Sequence, residues 1–317
     1  MAGFLSTNTD HLTRSNLWSN EIKMPFEAMI QGNQYINWIS DFPDGDTLNI
    51  PSIGVMEAQD FAEGEAVRYT AIDTGNFTFS IDKYLASATY VSTKFLQDSY
   101  YMSRVQSQFV PMQRMAIERI IEGDIMAVGP NAQTASNSNT INNAKHRMVG
   151  SGASEKITIE DFHRARFALR KAFVPMDKMI AIVDPSVEYE ISTQPNLLNF
   201  SAANPRWEGV VETGLTTGLK FFRNIAGWDV YTSDYLKVNT TSETIDGVTA
   251  AAGVNNLFFA ASAQPFMGAV RQPPKVESEY NKDLQREEYV TTCRYGMKLY
   301  RPEALVVVLT DTDQIYV

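Results

Sequence analysis

The chain has 317 residues, 44% hydrophobic and 20% charged, with a formal net charge of −10. That is the make-up of a folded globular protein large enough for one or two cores, and it excludes a disordered chain. The negative balance also excludes a surface devoted to gripping phosphate, because tight nucleic-acid binding rests on Lys and Arg displacing counterions; a few local contacts on one face stay open.

Residues 1 to 44 mix Asn, Ser and Thr with isolated apolar anchors such as Phe4, Leu17, Trp18, Ile22, Tyr35 and Trp38, and no single period holds. This predicts an extended arm ordered by whatever it lies against, with a short helix over 25–30 as the alternative for that piece. Residues 47–55 and 77–91 read as strands: Phe77, Phe79 and Ile81 alternate with Thr78, Ser80 and Asp82. Between them lie Glu57, Asp60, Glu63, Glu65 and Asp73 against Arg68 alone, a local balance of −4. An isolated hairpin is marginal in water, so this projection should rest on another surface, of its own chain or of a neighbour, and its acidic tip favours a basic recipient.

Over 91–129 the apolar residues recur at helical spacing. Val105, Phe109, Met112, Ala116 and Ile120 form one row, and Val110, Ile117, Ile121 and Ile125 a second. Arg104, Arg114, Glu118, Arg119, Glu122 and Asp124 give the helix a wet side, on which Arg114 and Glu118 stand one turn apart and can pair. Gly129-Pro130 is a stop signal. Pro111 removes a backbone bond from the interior. The segment is therefore either one long helix kinked at Pro111 or two helices meeting there.

An uncharged Asn/Ser/Ala/Gly passage follows, read as a loop. Thr158 with Asp161 three residues on predicts a capped helix, with Phe162, Ala165, Leu169 and Ala172 on its apolar face and Arg164, Arg166, Arg170 and Lys171 elsewhere. Such a basic face is ordinarily solvated; phosphate binding is the alternative. Residues 179–184 read as a short buried strand, and Asp184-Pro185 opens another helix, an α/β alternation. Residues 221–233 suit two strands joined near Gly227. Residues 240–253 are loop-like, 257–263 apolar, 271–288 charge-dense, and 289–309 end the chain in strands.

No stretch announces catalysis. Three histidines, His11, His146 and His163, stand far apart, and no HExxH pair exists. Cys293, the single cysteine, excludes a disulfide framework and fits a reducing compartment; it reads as a small core residue. Residues 214–220, GLTTGLK, lack the Gly-Lys-Ser/Thr ending of a phosphate loop. The first twenty residues hold no basic leader followed by an apolar run, so no secretory signal is expected, and no apolar run reaches the length of a membrane span.

The order of parts then becomes informative. Gly45-Asp46-Thr47 with Ile50-Pro51, Phe79-Ser80-Ile81-Asp82, Glu122-Gly123-Asp124, Ile225 to Val230 with Ser233, Tyr295-Gly296, and Arg301-Pro302-Glu303 before Val306-Val307-Val308 follow one another in a set sequence. The ordered set resembles the major capsid proteins of tailed bacteriophages, the HK-ninety-seven-like fold. These stretches look like that family's extended-loop start, its return strand, the end of its spine helix, an axial-domain strand and its closing strands.

The resemblance implies an α+β fold. Its expected parts are an N-terminal arm (1–46), an extended β-hairpin loop (47–91), a peripheral domain with the long spine helix (92–156), an α/β axial domain (157–270) and return strands of the peripheral domain (271–317). It implies a non-enzymatic shell protein without cofactor or metal, forming hexamers and pentamers around packaged double-stranded DNA in the virion, assembled in the host cytoplasm. A scaffolding protein, a portal and a possible cement protein are the implied partners, with weak inner-face contacts to DNA and no membrane. Glu57, Asp60, Glu63, Glu65 and Arg68 at the loop tip become inter-subunit candidates, and Arg104, Arg114, Glu118 and Arg119 of the spine helix inter-subunit or inner-face ones. Phe77 and Phe79 are expected to need a neighbour's cover. Some family members crosslink through a lysine on the loop; here no lysine occurs from Met24 to Asp82, so non-covalent closure is expected. An encapsulin-like nanocompartment shell is the alternative within the fold, and a cytoplasmic α/β enzyme the alternative outside it.

Overall fold

The computed structural model describes residues 32–39, 47–53, 60, 74–98, 102–133, 139–193, 224–245, 247–250 and 252–311. In chain order the elements are β1 (Ile36–Ile39), β2 (Thr47–Ile53), β3 (Thr74–Ser80), β4 (Lys83–Ser92), α1 (Thr93–Asp98) and α2 (Met102–Ala132). Then come β5 (Thr140–Ile141), β6 (Ala144–Lys145), β7 (Arg147–Val149), α3 (Ile159–Lys171), β8 (Met179–Val183), α4 (Pro185–Thr193), β9 (Asn224–Ile225) and β10 (Trp228–Thr232). The last are β11 (Val238–Asn239), β12 (Glu243–Ile245), β13 (Val248–Ala250), β14 (Gly253–Ala260), β15 (Phe266–Asn281), β16 (Arg286–Leu299) and β17 (Leu305–Asp311).

A seven-stranded sheet runs β7-β17-β14-β8-β10-β9, with β11 added against β14. Its central strands β8, β14 and β17 are buried at every position. Apolar runs do this when both faces of a strand are covered; in β14 the run is interrupted by Asn255 and Asn256, whose amides donate to Asn239 and Thr310. Alternate residues go to opposite layers. Ala181, Val183, Phe258, Val306 and Val308 meet Phe162 and Leu169 of α3 and Val187 and Ile191 of α4. Ile180, Ile182, Leu257, Phe259, Leu305 and Val307 meet Ile125 and Met126 of α2. Trp228 sits in the first layer, edge-on to Phe258, its indole N–H donated to the Phe162 carbonyl at 3.0 Å.

The second sheet has the order β1-β15-β16-β4. Its inner face supplies Cys293 and Tyr295 to a small core closed by Ile117 of α2. The Gln113 amide, also on α2, donates to the Tyr289 carbonyl and accepts from the Thr291 hydroxyl, at 3.1 and 2.8 Å. One helix thus lies on both sheets: Gln113 and Ile117 on the four-stranded one, Ile125 and Met126 on the seven-stranded one.

The helix differs from its sequence outline at both ends. It does not begin at residue 91, because β4 continues to Ser92 and α1 intervenes. It passes through Pro111 as a single element, and it outruns both Asp124 and Gly129-Pro130, ending at Ala132. Pro130 falls within the last turn, and the Gln133 N–H still reaches the Gly129 carbonyl at 3.1 Å. The row containing Ile117 and Ile125 is the core row, while Met112 and Ile120 of the other row are exposed. Two apolar rows on one helix do not say which of them meets the sheet.

The β2–β3 hairpin pairs Thr47 with Ser80 through to Ile53 with Thr74. Its base is covered by its own chain, which corrects the expectation that Phe77 and Phe79 need a neighbour. Phe79 is 0% exposed, among Ile81, Met267 and Ala269, and Phe77 stands edge-on to Tyr300 at 5.2 Å between ring centres. Gly296 permits this approach: a Cβ there lies 2.4 Å from the Ser80 carbonyl oxygen. Residues 83–92, expected to belong with the loop, pair with β16 instead. The strands expected after residue 270 are divided, β15 and β16 in the four-stranded sheet and β17 between β7 and β14 in the other.

In the α/β part the Asp161 carboxylate accepts the Thr158 N–H at 2.9 Å, as a capping pair does, and the Asp184 carboxylate accepts the Ser186 N–H at 2.9 Å. Ala226 and Gly227, both at positive φ, make the two-residue turn between β9 and β10. The segment 240–253 is not a plain loop, since β12 and β13 pair within it. Residues 214–220 lie outside the described residues.

Candidate assembly surfaces

Of the loop-tip candidates, Glu57, Glu63, Glu65 and Arg68 lie outside the described residues, and Asp60 is exposed. Arg104 is in α2, its side chain outside the described set. Arg114 and Glu118 form the expected pair, Nε to Oε1 at 2.7 Å, on the solvent side of α2. An exposed pair of this kind contributes only about 0.3–0.5 kcal/mol, so it does not explain why the helix is there. Arg119 is exposed beside it, and so are Met112, Met115 and Ile120. A stripe of apolar side chains interleaved with arginine on an otherwise well-packed helix is the composition of a contact surface. Next to it, between α2 and β15, runs a groove of about 400 Å³ lined by Trp38, Arg114, Glu118, Ile121, Pro273 and Pro274.

Glu122, expected on the wet side, is buried. Its two carboxylate oxygens accept the Gly32 backbone N–H at 2.7 and 2.9 Å. A Cβ at residue 32 lies 2.9 Å from Glu122 Oε2, 3.0 Å from Ile125 and 3.1 Å from Met126, so a glycine is needed for the chain to come this close. The seat fixes the root of the N-terminal arm on α2. Its signal was present in the sequence: residue 122 stands three and four places before the core residues Ile125 and Met126, on the apolar side of the helix.

A second carboxylate of α2, Asp124, accepts the Tyr295 hydroxyl at 2.6 Å and has the Lys83 ammonium 3.5 Å away. Burial first, then this bond, pushes the Tyr295 phenol far above its usual range. At the far end of the helix Arg147 is 2% exposed. Its guanidinium donates to the Gln133 carbonyl and pairs with Glu243, joining the end of α2 to β7 and β12.

Among the described residues those weighed for catalysis do not form a site, and His11 lies outside them. Cys293 is buried, and burial raises its thiol pKa, as for an inert core residue. His146 is buried, its pKa lowered by desolvation, with Nδ1 3.1 Å from the Ala144 carbonyl; His163 is exposed on α3. On the basic face of α3, Arg166 donates to the Ala226 carbonyl at 3.0 Å and Arg164 pairs with Glu160 at 2.8 Å, which are structural roles. Among the described residues no cluster of His, Cys, Asp and Glu could hold a metal, and no helix is long and apolar enough to cross a membrane.

No protein-family profile matches the sequence, and no curated protein matches it. Solved structures do. A capsid structure of the cyanophage P-SCSP1u superposes with a TM-score of 0.69 at 16% identity, covering 93% of this chain and 92% of that one. The mature capsid of bacteriophage PhiM1 gives 0.68 at 9% identity over 98% and 95%. The capsid of cyanophage Pam1 gives 0.67 at 13% identity over 98% and 99%. The chain has the phage capsid fold.

Proposed function

We propose that the chain is the major capsid protein of a tailed bacteriophage, self-assembling into the hexamers and pentamers of an icosahedral shell around double-stranded DNA. One observation carries the reading: the superposition on capsid structures covers 98% of this chain and 99% of the Pam1 chain. Physical features support it. Exposed Met112, Met115, Ile120, Phe167 and Phe173 are what obligate contacts cover, and such contacts bury on the order of 2,000–5,000 Å². Closed symmetry turns one set of self-complementary contacts into a shell.

In this reading the tip residues Glu57, Asp60, Glu63, Glu65 and Arg68 dock on a basic surface of a neighbouring copy. Arg104, Arg114, Glu118 and Arg119 face a neighbour or the shell interior, where contacts to DNA are weak because the subunit is acidic. A separate scaffolding protein, a portal and a cement protein complete the assembly, in the host cytoplasm. The parts are an N-terminal arm, a loop carried by β2 and β3, a peripheral domain around the four-stranded sheet and α2, and an axial domain around the seven-stranded sheet, which β7 and β17 join.

Electron microscopy of the purified full chain tests this. Rings of five or six copies, or closed particles, are the expected result; a monodisperse monomer at high concentration overturns the proposal.

A further inference from the structure

A cleft of about 670 Å³ lies against β7, the edge strand of the seven-stranded sheet. Phe167 and Ala168 of α3 line one side, Ile245 and Val248 of the β12–β13 hairpin the other, and Met148 of β7 lies between them. Phe167 and Val248 are 55% and 51% exposed, so large apolar side chains on both sides are left half in water. The charged residues of the lining are Lys145, Arg147 and Arg164 against Glu155, a positive balance in a chain whose net charge is −10. Arg147 is 2% exposed, and its Nε has no hydrogen-bond partner among the described residues.

Strand β17 ends beside this cleft. Leu309 packs on Val149 and Ile245, and its carbonyl accepts the Gly150 N–H at 2.9 Å; all three residues belong to the lining. Asp311, two positions on, is the last residue of the strand. The sequence continues Thr312-Asp313-Gln314-Ile315-Tyr316-Val317, three polar residues and then three apolar ones, with Asp313 its single charge. Residues 315–317 stand four to six positions beyond the strand end, a reach of about 13–20 Å in extended chain, enough to cross an opening of that volume.

We propose that residues 312–317 fold back into the cleft of their own chain. Ile315, Tyr316 and Val317 lie against Met148, Phe167 and Val248, and Asp313 meets the side that carries Lys145 and Arg164. Two matches support this occupant: apolar residues with an apolar lining, and a lone carboxylate with a positive one. Tethering selects the same chain over a second copy, because a segment attached this close has an effective concentration of about millimolar, far above that of another molecule in dilute solution. The docked segment also covers β7, whose outer side takes no strand among the described residues.

Disulfide trapping on the purified full chain tests it, since the native Cys293 is 1% exposed and stays out of the reaction. Tyr316→Cys is combined with Phe167→Cys in one variant and with Val248→Cys in a second. A bridge needs Cα atoms within about 7 Å, and a docked segment comes that close to at least one side. A third variant joins Tyr316→Cys to Glu279→Cys, an exposed position on β15 of the other sheet. In dilute solution with oxidised glutathione, peptide mapping is expected to show an intrachain bridge from residue 316 to 167 or 248. It should form about tenfold faster or more than the bridge to residue 279. Rates no greater than that control overturn the proposal, because the segment then visits all surfaces alike. Bridges between chains give the cleft to a second copy and overturn it too.

Discussion

The Glu122 carboxylate holds the Gly32 N–H with both oxygens, at 2.7 and 2.9 Å, and a side chain at residue 32 has no room beside it. Replacing Glu122 by Ala leaves a buried donor unsatisfied and is expected to cost roughly 1–3 kcal/mol. Gly32→Ala is expected to cost a similar amount, about 1–3 kcal/mol, through overpacking against Ile125 and Met126. Denaturant unfolding of the full chain measures both. The pair shares one contact, so the double variant should cost less than the sum of the two; strict additivity contradicts the described seat.

Alkaline pH should weaken the fold. Tyr35 is pushed up to about 12, chiefly by burial and next by Tyr231, and Tyr295 is raised further by burial and Asp124. In the unfolded chain these phenols ionise near pH 10 while the folded ones keep their protons. Their contribution is therefore complete below about pH 10 and is lost as the pH rises through the folded values. Thermal melting followed from pH 8 to 11 is expected to be flat at first and to fall above about pH 10. Tyr295→Phe should make that fall shallower, and an identical slope refutes the assignment.

Arg147 is a buried cation with two partners from different elements. Truncation to Ala strands the Glu243 carboxylate and the Gln133 carbonyl, with an expected loss of about 3–5 kcal/mol. Pairing Arg147→Met with Glu243→Gln should recover part of it, since no lone charge then remains. Unfolding midpoints of the two singles and the double decide the matter.

Charge reversal at the loop tip separates folding from assembly. Glu63→Lys with Glu65→Lys is expected to leave the circular-dichroism melt of the subunit unchanged and to reduce particle yield by about tenfold, equivalent to about 1.4 kcal/mol of contact energy. Normal yield counts against a basic recipient on the neighbour.

In the proposed shell, closure without covalent links is expected, because no lysine lies between Met24 and Asp82. Particles boiled in denaturant and run on a gel should give a single band at the subunit mass of 35.5 kDa. A ladder of linked chains speaks against it.

Much of the fold could be read from period alone. The apolar runs of β8 and β17, the caps at Asp161 and Asp184, and the turn at Ala226-Gly227 each obey a local rule, and the structure keeps each of them. What failed depends on distant partners. The outer half of β15 has no apolar alternation because both of its faces are wet, so 271–281 reads only as charge-dense. The β12–β13 hairpin is short, though Asp246-Gly247 between its strands is a recognised turn pair. Phe77 and Phe79 read as exposed because their cover, Met267, Ala269 and Tyr300, lies more than 180 residues further along. The Arg114–Glu118 pair was legible because it is local. The Glu122 seat was less so, since a carboxylate on an apolar row signals burial without naming Gly32.

The bridging helix has a mechanical consequence. From Gln113 onward α2 is fastened first to one sheet and then to the other, so those two slabs move as a single girder. Ahead of it stands Pro111, which leaves the carbonyl of Ser107 without its usual i+4 donor. Five-fold and six-fold rings of one subunit need different tilts. If the proposed shell forms, the bend that reconciles them is expected in the turn before Gln113.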